Sequence, residues 1–188
     1  MPVERVQQVI DRITSERERF VEFIRGVPED QWRNTSPEGI WQARDYVAHL
    51  SSIDPLITAW FRSLQRGEGW PEYGGDGPFQ IDDWNEEQIL ARREHTIDAL
   101  LEEMARSRDE LIAALGDFTD EQIDRTIHFG GDRKRAPREI PLHAYLQFWA
   151  FHDRWHTEDA RRAIAGETEQ PFGDAAFARS AQGELAGS

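Results

Sequence analysis

The stretch Phe148-Trp149-Ala150-Phe151-His152-Asp153-Arg154-Trp155-His156-Thr157-Glu158, FWAFHDRWHTE, sets two histidines four residues apart in an aromatic run. Its spacing predicts a helix from about Arg138 to Ala165, stopped by Gly166. Residues three and four apart share a helix face, so Tyr145, Trp149, His152 and His156 fall on one side. His143 precedes His152 by ~2.5 turns and points elsewhere. Two imidazoles one turn apart can close on a single metal ion, with nitrogens at ~2.0–2.1 Å for zinc. They can equally be two packed histidines satisfied by local partners.

The rest of the chain is also helical in its pattern. Val6, Ile10, Ile13, Phe20, Phe23 and Ile24 form a stripe over about residues 3–25, with Gly26 as a stop. A second helix is expected from about Arg44 to Leu64, with Pro55 kinking it or splitting off its first turns. A third is expected from Asp83, opened by an Asp83-x-x-Glu86 capping box, through Ile97, Leu101 and Leu111 to Gly116. That is ~30 residues, or ~45 Å of helix. Residues 117–138 read as a connection with one helical turn, TDEQID, and an extended TIHF. VPEDQW after the first helix and FTDEQI after the third form a faint internal echo. Four amphipathic helices without a credible strand set predict an all-α four-helix bundle, with long crossover connections as the variant topology. Residues 1–166 form the expected domain, and 167–188 a loosely held tail. Residues 66–80, with five glycines and two prolines, are either a plain surface loop or a segment packing Trp70, Tyr73 and Phe79 over a pocket mouth.

Composition limits the function. The 188 residues include no cysteine, which excludes thiolate metal sites and a cysteine nucleophile. A net charge of −14, from 36 acidic and 22 basic side chains, repels phosphate backbones, so no nucleic-acid partner is expected. The one basic cluster, Arg133-Lys134-Arg135 with Arg138, reads as a solvated loop. The charged N-terminus shows no signal peptide, and no apolar run approaches the ~20 residues that span a bilayer. A soluble cytoplasmic protein with a small-molecule substrate and no membrane partner is expected.

Helical register sorts the six histidines. His49 lies three after Tyr46 and four before Ile53, on the inward stripe of the second helix. His95 falls off the apolar stripe of the third helix, and His128 sits in a connection. His49, His152 and His156 are therefore the candidate ligand set, leaving coordination positions open. Asp45 and Asp159 stand near enough in sequence to orient the imidazoles, or else are surface salt-bridge partners. An all-imidazole set suits zinc, nickel, iron(II) or copper, of which zinc or nickel is the expectation.

The segment WQARDYVAHL at 41–50 resembles the signature of the DinB/YfiT-like metalloenzyme superfamily: a tryptophan, a short spacer, then a helix carrying AHL. HDRWH at 152–156 is similar to that family's HxxxH on its last helix, and DDWN at 82–85 to the Asp–Asn element opening its third. The three pieces come in the family's order, and the resemblance covers about residues 3–165. Gln42 departs from it, since a Ser or Thr helix cap is commoner there. The resemblance implies a four-helix bundle, often a homodimer, holding a divalent metal on His49, His152 and His156. It also implies a thiol S-transferase or isomerase that uses a low-molecular-weight thiol, with Trp41, Trp149 and Trp155 walling the pocket. A metal-dependent hydrolase and a non-catalytic dimeric bundle are the alternatives. No dedicated acid or base is identifiable.

Overall fold

The computed structural model describes residues 2–34, 41–68 and 79–166. Most of the 66–80 loop, including Trp70 and Tyr73, lies outside the described residues, as does the 167–188 tail. Six helices and a hairpin follow in chain order. They are α1 (Glu4–Arg25), α2 (Ala43–Arg66), α3 (Ile81–Ala91), α4 (Ile97–Gly116), the short α5 (Asp120–Ile123), β1 (Thr126–Phe129), β2 (Arg138–Pro141) and α6 (Leu142–Ala165). A single 3-10 turn, Glu29–Gln31, precedes α2. Helices α1, α2, α4 and α6 are the bundle: α2 packs chiefly on α4, α1 on α6, and α2 also meets α6. Phe20, Ile24, Leu50, Ile57, Phe61, Leu100, Leu115 and Leu146 are almost wholly excluded from solvent in its core.

Three boundaries differ from the sequence reading. The third helix is two, α3 and α4, broken at residues 92–96. Thr96 caps α4 by accepting a bond from the Ala99 N–H at 3.2 Å, and a capping threonine competes with continuation of the helix before it. Arg92 holds the break, reaching Glu103 at 2.5 Å and Gln88 at 2.8 Å. The predicted capping box at Asp83 is absent: α3 begins at Ile81 after Gln80, and Asp83 pairs with Arg133 instead.

The last helix starts at Leu142, four residues late. Residues 138–141 pair antiparallel with 126–129, Phe129 opposite Arg138 and Ile127 opposite Ile140. Pro141 has no N–H to donate, so it suits a strand end that turns into a helix. Pro55, in contrast, does not split α2, which runs unbroken to Arg66. A proline inside a helix costs ~3 kcal/mol, while burying Ile53, Leu56, Ile57 and Phe61 around it returns ~1.5–3 kcal/mol each. Both α2 and α6 end on left-handed glycines, Gly67 (φ 77°) and Gly166 (φ 67°).

The bundle core holds charge that the sequence reading missed. Arg17 (α1), Asp54 (α2), Arg108 (α4) and Asp153 (α6) form a buried quartet, one residue from each bundle helix. Arg17 Nε and Nη2 reach Asp153 at 2.6 and 3.2 Å, and Arg108 Nε reaches Asp54 at 2.8 Å. The available signal was register: Arg17 lies four after Ile13 and three before Phe20, and Arg108 four after Met104, on the buried stripes.

Candidate metal centre

Helices α2 and α6 bring His49, His152 and His156 together. One potential ligand atom from each ring lies within 4.8 Å of those of the other two. The centroids of His49 stand 4.7 Å from His156 and 5.4 Å from His152, and those of His152 and His156 4.6 Å apart. His49 and His152 are buried, and His156 is half-buried at the pocket edge. The other histidines stay apart from this group: His95 and His143 are exposed, and His128 pairs with Glu139 across the hairpin at 2.8 Å. His95 sits in the break between α3 and α4, not on a helix.

The electrostatics favour neutral rings. Burial holds His49 below the ordinary histidine value, His156 and Arg17 push the same way, and only Asn85 opposes. Burial likewise lowers His152, helped by His156, His49 and Arg17. Neutral imidazoles offer lone pairs, which is the state a metal ligand needs.

Nε2 of His152 and Nε2 of His156 face each other at 3.2 Å. Two nitrogens on one tetrahedral zinc, each at ~2.0–2.1 Å, stand ~3.3–3.4 Å apart. The Nδ1 atoms of His49 and His152 are buried without an aligned hydrogen-bond partner among the described residues. The donor set therefore fits a borderline divalent ion.

Of the two carboxylates considered for orienting the rings, one is in place. Asp159 Oδ2 lies 3.2 Å from His156 Nδ1, within ion-pair range although off the line of a good hydrogen bond. Asp45 turns away to cap α2, accepting the Gln42 N–H at 2.7 Å, and its carboxyl is raised by burial. Gln42 thus serves as the cap itself, in a reciprocal box with Asp45.

The histidines open into a pocket of about 940 Å³. Trp41, Trp149 and Trp155 all line it. Trp149 packs on His152 at 4.4 Å and Trp41 on His49 at 5.3 Å. Phe79 lines it as well, edge-on to Trp60 at 5.7 Å. Helix α3 contributes Asp82 and Asn85, and the hairpin contributes Ile127, Phe129 and Arg138. The basic cluster read as a solvated loop is partly a wall. Lys134 and Arg135 reach Asp82 at 2.7 and 3.4 Å, which ties this loop to α3. Arg138, read from the sequence with the solvated basic cluster, lines the pocket, and the signal for this was its alternation with Ile140.

Comparison with known proteins adds to this. The DinB superfamily matches residues 12–160, well over half of the chain. Among solved structures, the chain is similar to YfiT from Bacillus subtilis, described as a probable metal-dependent hydrolase with an unusual four-helix bundle topology. That match has a TM-score of 0.65 at 16% identity and covers 88% of this chain and 89% of that one. It is also similar to a mycothiol-dependent maleylpyruvate isomerase, with a TM-score of 0.63 at 14% identity. This second match covers 82% of this chain but 60% of the isomerase, so the chain spans less than two thirds of that protein. At these identities the likeness is one of fold. No curated protein matches the chain in sequence.

Proposed function

The chain belongs to the DinB superfamily, and from that membership and the pocket's geometry we propose that it binds a divalent metal on His49, His152 and His156 and acts as a thiol S-transferase or isomerase. The observation that carries this is the 3.2 Å approach of two Nε2 atoms beside a third buried imidazole. Zinc or nickel suits the donor set, and an ion held there would lower the pKa of a coordinated thiol or water.

The protein's own groups set up that chemistry. His49 and His152 stay neutral because they are buried, so protons do not compete for their lone pairs. Asp159 beside His156 Nδ1 favours the tautomer that frees Nε2. Trp41, Trp149, Trp155 and Phe148 exclude water from one side of the rings, and the pocket volume accommodates two small molecules at once. With no cysteine in the chain, the thiol has to arrive as a cosubstrate of low molecular weight. Asn85, on the wall against His49, is placed to orient a bound group. We propose a homodimer as the working form.

Hydrolysis is the second reading, favoured by the likeness to YfiT across nearly the whole of both chains. Elemental analysis of purified protein should find one divalent ion per chain in wild type, and none in His152→Ala. Metal-loaded protein should then conjugate a low-molecular-weight thiol to an electrophile. Turnover of esters or amides without thiol would move the assignment to hydrolysis, and absence of bound metal would end both readings.

A further inference from the structure

The three histidines come from α2 and α6, and α3 adds an amide beside them. Asn85 lines the pocket together with His49, His152 and His156. It is the one neighbour of the His49 ring that favours a proton there, against His156 and Arg17. Asn85 Oδ1 is excluded from solvent and has no aligned hydrogen-bond partner among the described residues, and His49 Nδ1 is in the same condition. A carbonyl oxygen accepts and an imidazole N–H donates, so each atom is the partner the other lacks. Buried polar atoms are costly to leave unmet, and one bond between these two satisfies both. Asn85 as a whole is only half-buried, which turns the other end of its amide, Nδ2, toward the pocket.

The start of α3 is tied to the hairpin loop, which holds the amide in place. Asp82, three residues before Asn85, meets Lys134 at 2.7 Å and Arg135 at 3.4 Å. Asp83 pairs with Arg133, whose backbone N–H donates to Gln80 Oε1 at 3.0 Å. A comparable approach exists at His156, where Asp159 stands 3.2 Å from Nδ1. The Nε2 atoms of His152 and His156 already face each other at 3.2 Å. A third ring held by its Nδ1 presents Nε2 to the same point.

We propose that Asn85 positions both sides of the site: its Oδ1 accepts the Nδ1–H of His49 and so presents Nε2 as a metal ligand, while its Nδ2 donates to the thiolate sulfur bound on the pocket side. An outer hydrogen bond of the first kind fixes a ligand's tautomer and raises its basicity. A bond of the second kind stabilises the anion over the thiol. The second half rests on the proposed metal and thiol function, whereas the first does not.

Three measurements separate the halves. Nitrogen-15 spectra of the metal-free full chain, at mildly alkaline pH where the rings are neutral, read the tautomer of His49. Its signals are those lost in His49→Gln. Wild type should show Nδ1–H, the tautomer histidine disfavours in water, and Asn85→Leu should return the ring toward Nε2–H. Asn85→Asp keeps an accepting oxygen and puts a charge where the donor was, so it should keep the tautomer. Cobalt(II) affinity, measured by competition with a chelator, should fall ~10-fold or more in Asn85→Leu and should not fall in Asn85→Asp. The cobalt form is then titrated with mercaptoethanol and followed by sulfur-to-metal charge-transfer absorption. Here Asn85→Asp should bind the thiol ~10-fold or more weakly than wild type, because a donor to the thiolate has become a like charge.

An Nε2–H tautomer in wild type, or an Nδ1–H tautomer that Asn85→Leu leaves unchanged, refutes the carbonyl half. Thiol affinity in Asn85→Asp equal to wild type refutes the amide-nitrogen half. If no form binds cobalt, the metal reading fails and takes the amide-nitrogen half with it, while the tautomer still decides the other. The wild-type tautomer needs no variant of Asn85, so a poorly folding substitution does not hide the answer.

Discussion

Replacing Arg108 by methionine would leave Asp54 and Asp153 sharing one guanidinium inside the bundle. Arg108 donates to Asp54 at 2.8 and 3.3 Å, to Asp153 at 3.0 and 3.2 Å, and to the Ile13 carbonyl at 3.3 Å. The cost is set less by these bonds than by the carboxylate left behind, and stripping one partner from a buried ion pair costs ~3–5 kcal/mol. A domain holds only ~5–15 kcal/mol in total, so Arg108→Met should remove a third or more of the stability. Asp54→Leu should cost about the same by the reverse logic, with two guanidiniums facing Asp153. The double variant is different. It leaves Arg17 on Asp153 at 2.6 and 3.2 Å, a complete two-pronged neutral pair. The double should therefore cost only ~0–2 kcal/mol, a coupling of ~4 kcal/mol or more. Urea unfolding followed by circular dichroism near neutral pH gives all three values. A double variant costing the sum of the singles would refute the view that Arg17 and Asp153 suffice as a pair once Arg108 and Asp54 are both gone.

The same cluster makes a signed pH prediction. Burial pushes the Asp54 carboxyl up to about 7, Arg17 pulling it down and Asp153 adding to the rise. A carboxyl raised in the folded state binds its proton more tightly there than in the unfolded chain. Its contribution is then fully present below the ordinary value of 3.8 and is lost as pH climbs through about 7. Losing Arg108 strengthens that preference for the proton. The penalty of Arg108→Met should consequently be smaller near ~pH 5 than near ~pH 8, and an equal penalty at both would show that Asp54 does not take the proton.

Three further outcomes follow from the site and its walls. Zinc at ~100 times its dissociation constant should stabilise the chain by ~2.7 kcal/mol, raising the melting temperature by ~5–11 °C; His152→Ala should lose this shift, and a shift that survives would place the ion elsewhere. His49 and His152 are held below 6.5 by burial, so the unfolded chain takes up their protons first. Metal-free stability should therefore fall as pH drops below about 6.5, by up to ~1.4 kcal/mol per pH unit for each ring, and acid titration of His49→Ala should show a shallower fall. Gly131 has φ +79°, and a Cβ there would stand 2.6 Å from the Arg135 carbonyl and 2.8 Å from Pro137 N. Gly131→Ala should cost ~1–3 kcal/mol and loosen the pocket wall, read as faster hydrogen exchange in the hairpin than in α2.

Helical period explains both what the sequence disclosed and what it withheld. His49, His152 and His156 were legible because i and i+4 on one helix share a face, and because Tyr46 and Ile53 fix the inward side of α2. The hairpin was legible only in part: TIHF reads as extended, but REIP is too short an alternation to outweigh the helix that follows. The quartet was illegible for a non-local reason. Arg17, Asp54, Arg108 and Asp153 sit in stripes that look apolar around them, and each reads as an exception until its partners from three other helices are known. Yet the quartet and the histidines are one arrangement. His152 and Asp153 are adjacent, so their side chains leave α6 about 100° apart, one toward the pocket and one toward the bundle axis. Fixing Asp153 between two arginines fixes the rotation of α6, and with it the direction of His152 and His156. Asp54 does the same for α2, five residues after His49. The buried charges set the relative rotation of the two helices on which the imidazoles must meet. On this argument, variants of the quartet should disturb metal affinity as well as stability, although none of its residues belongs to the three-histidine set.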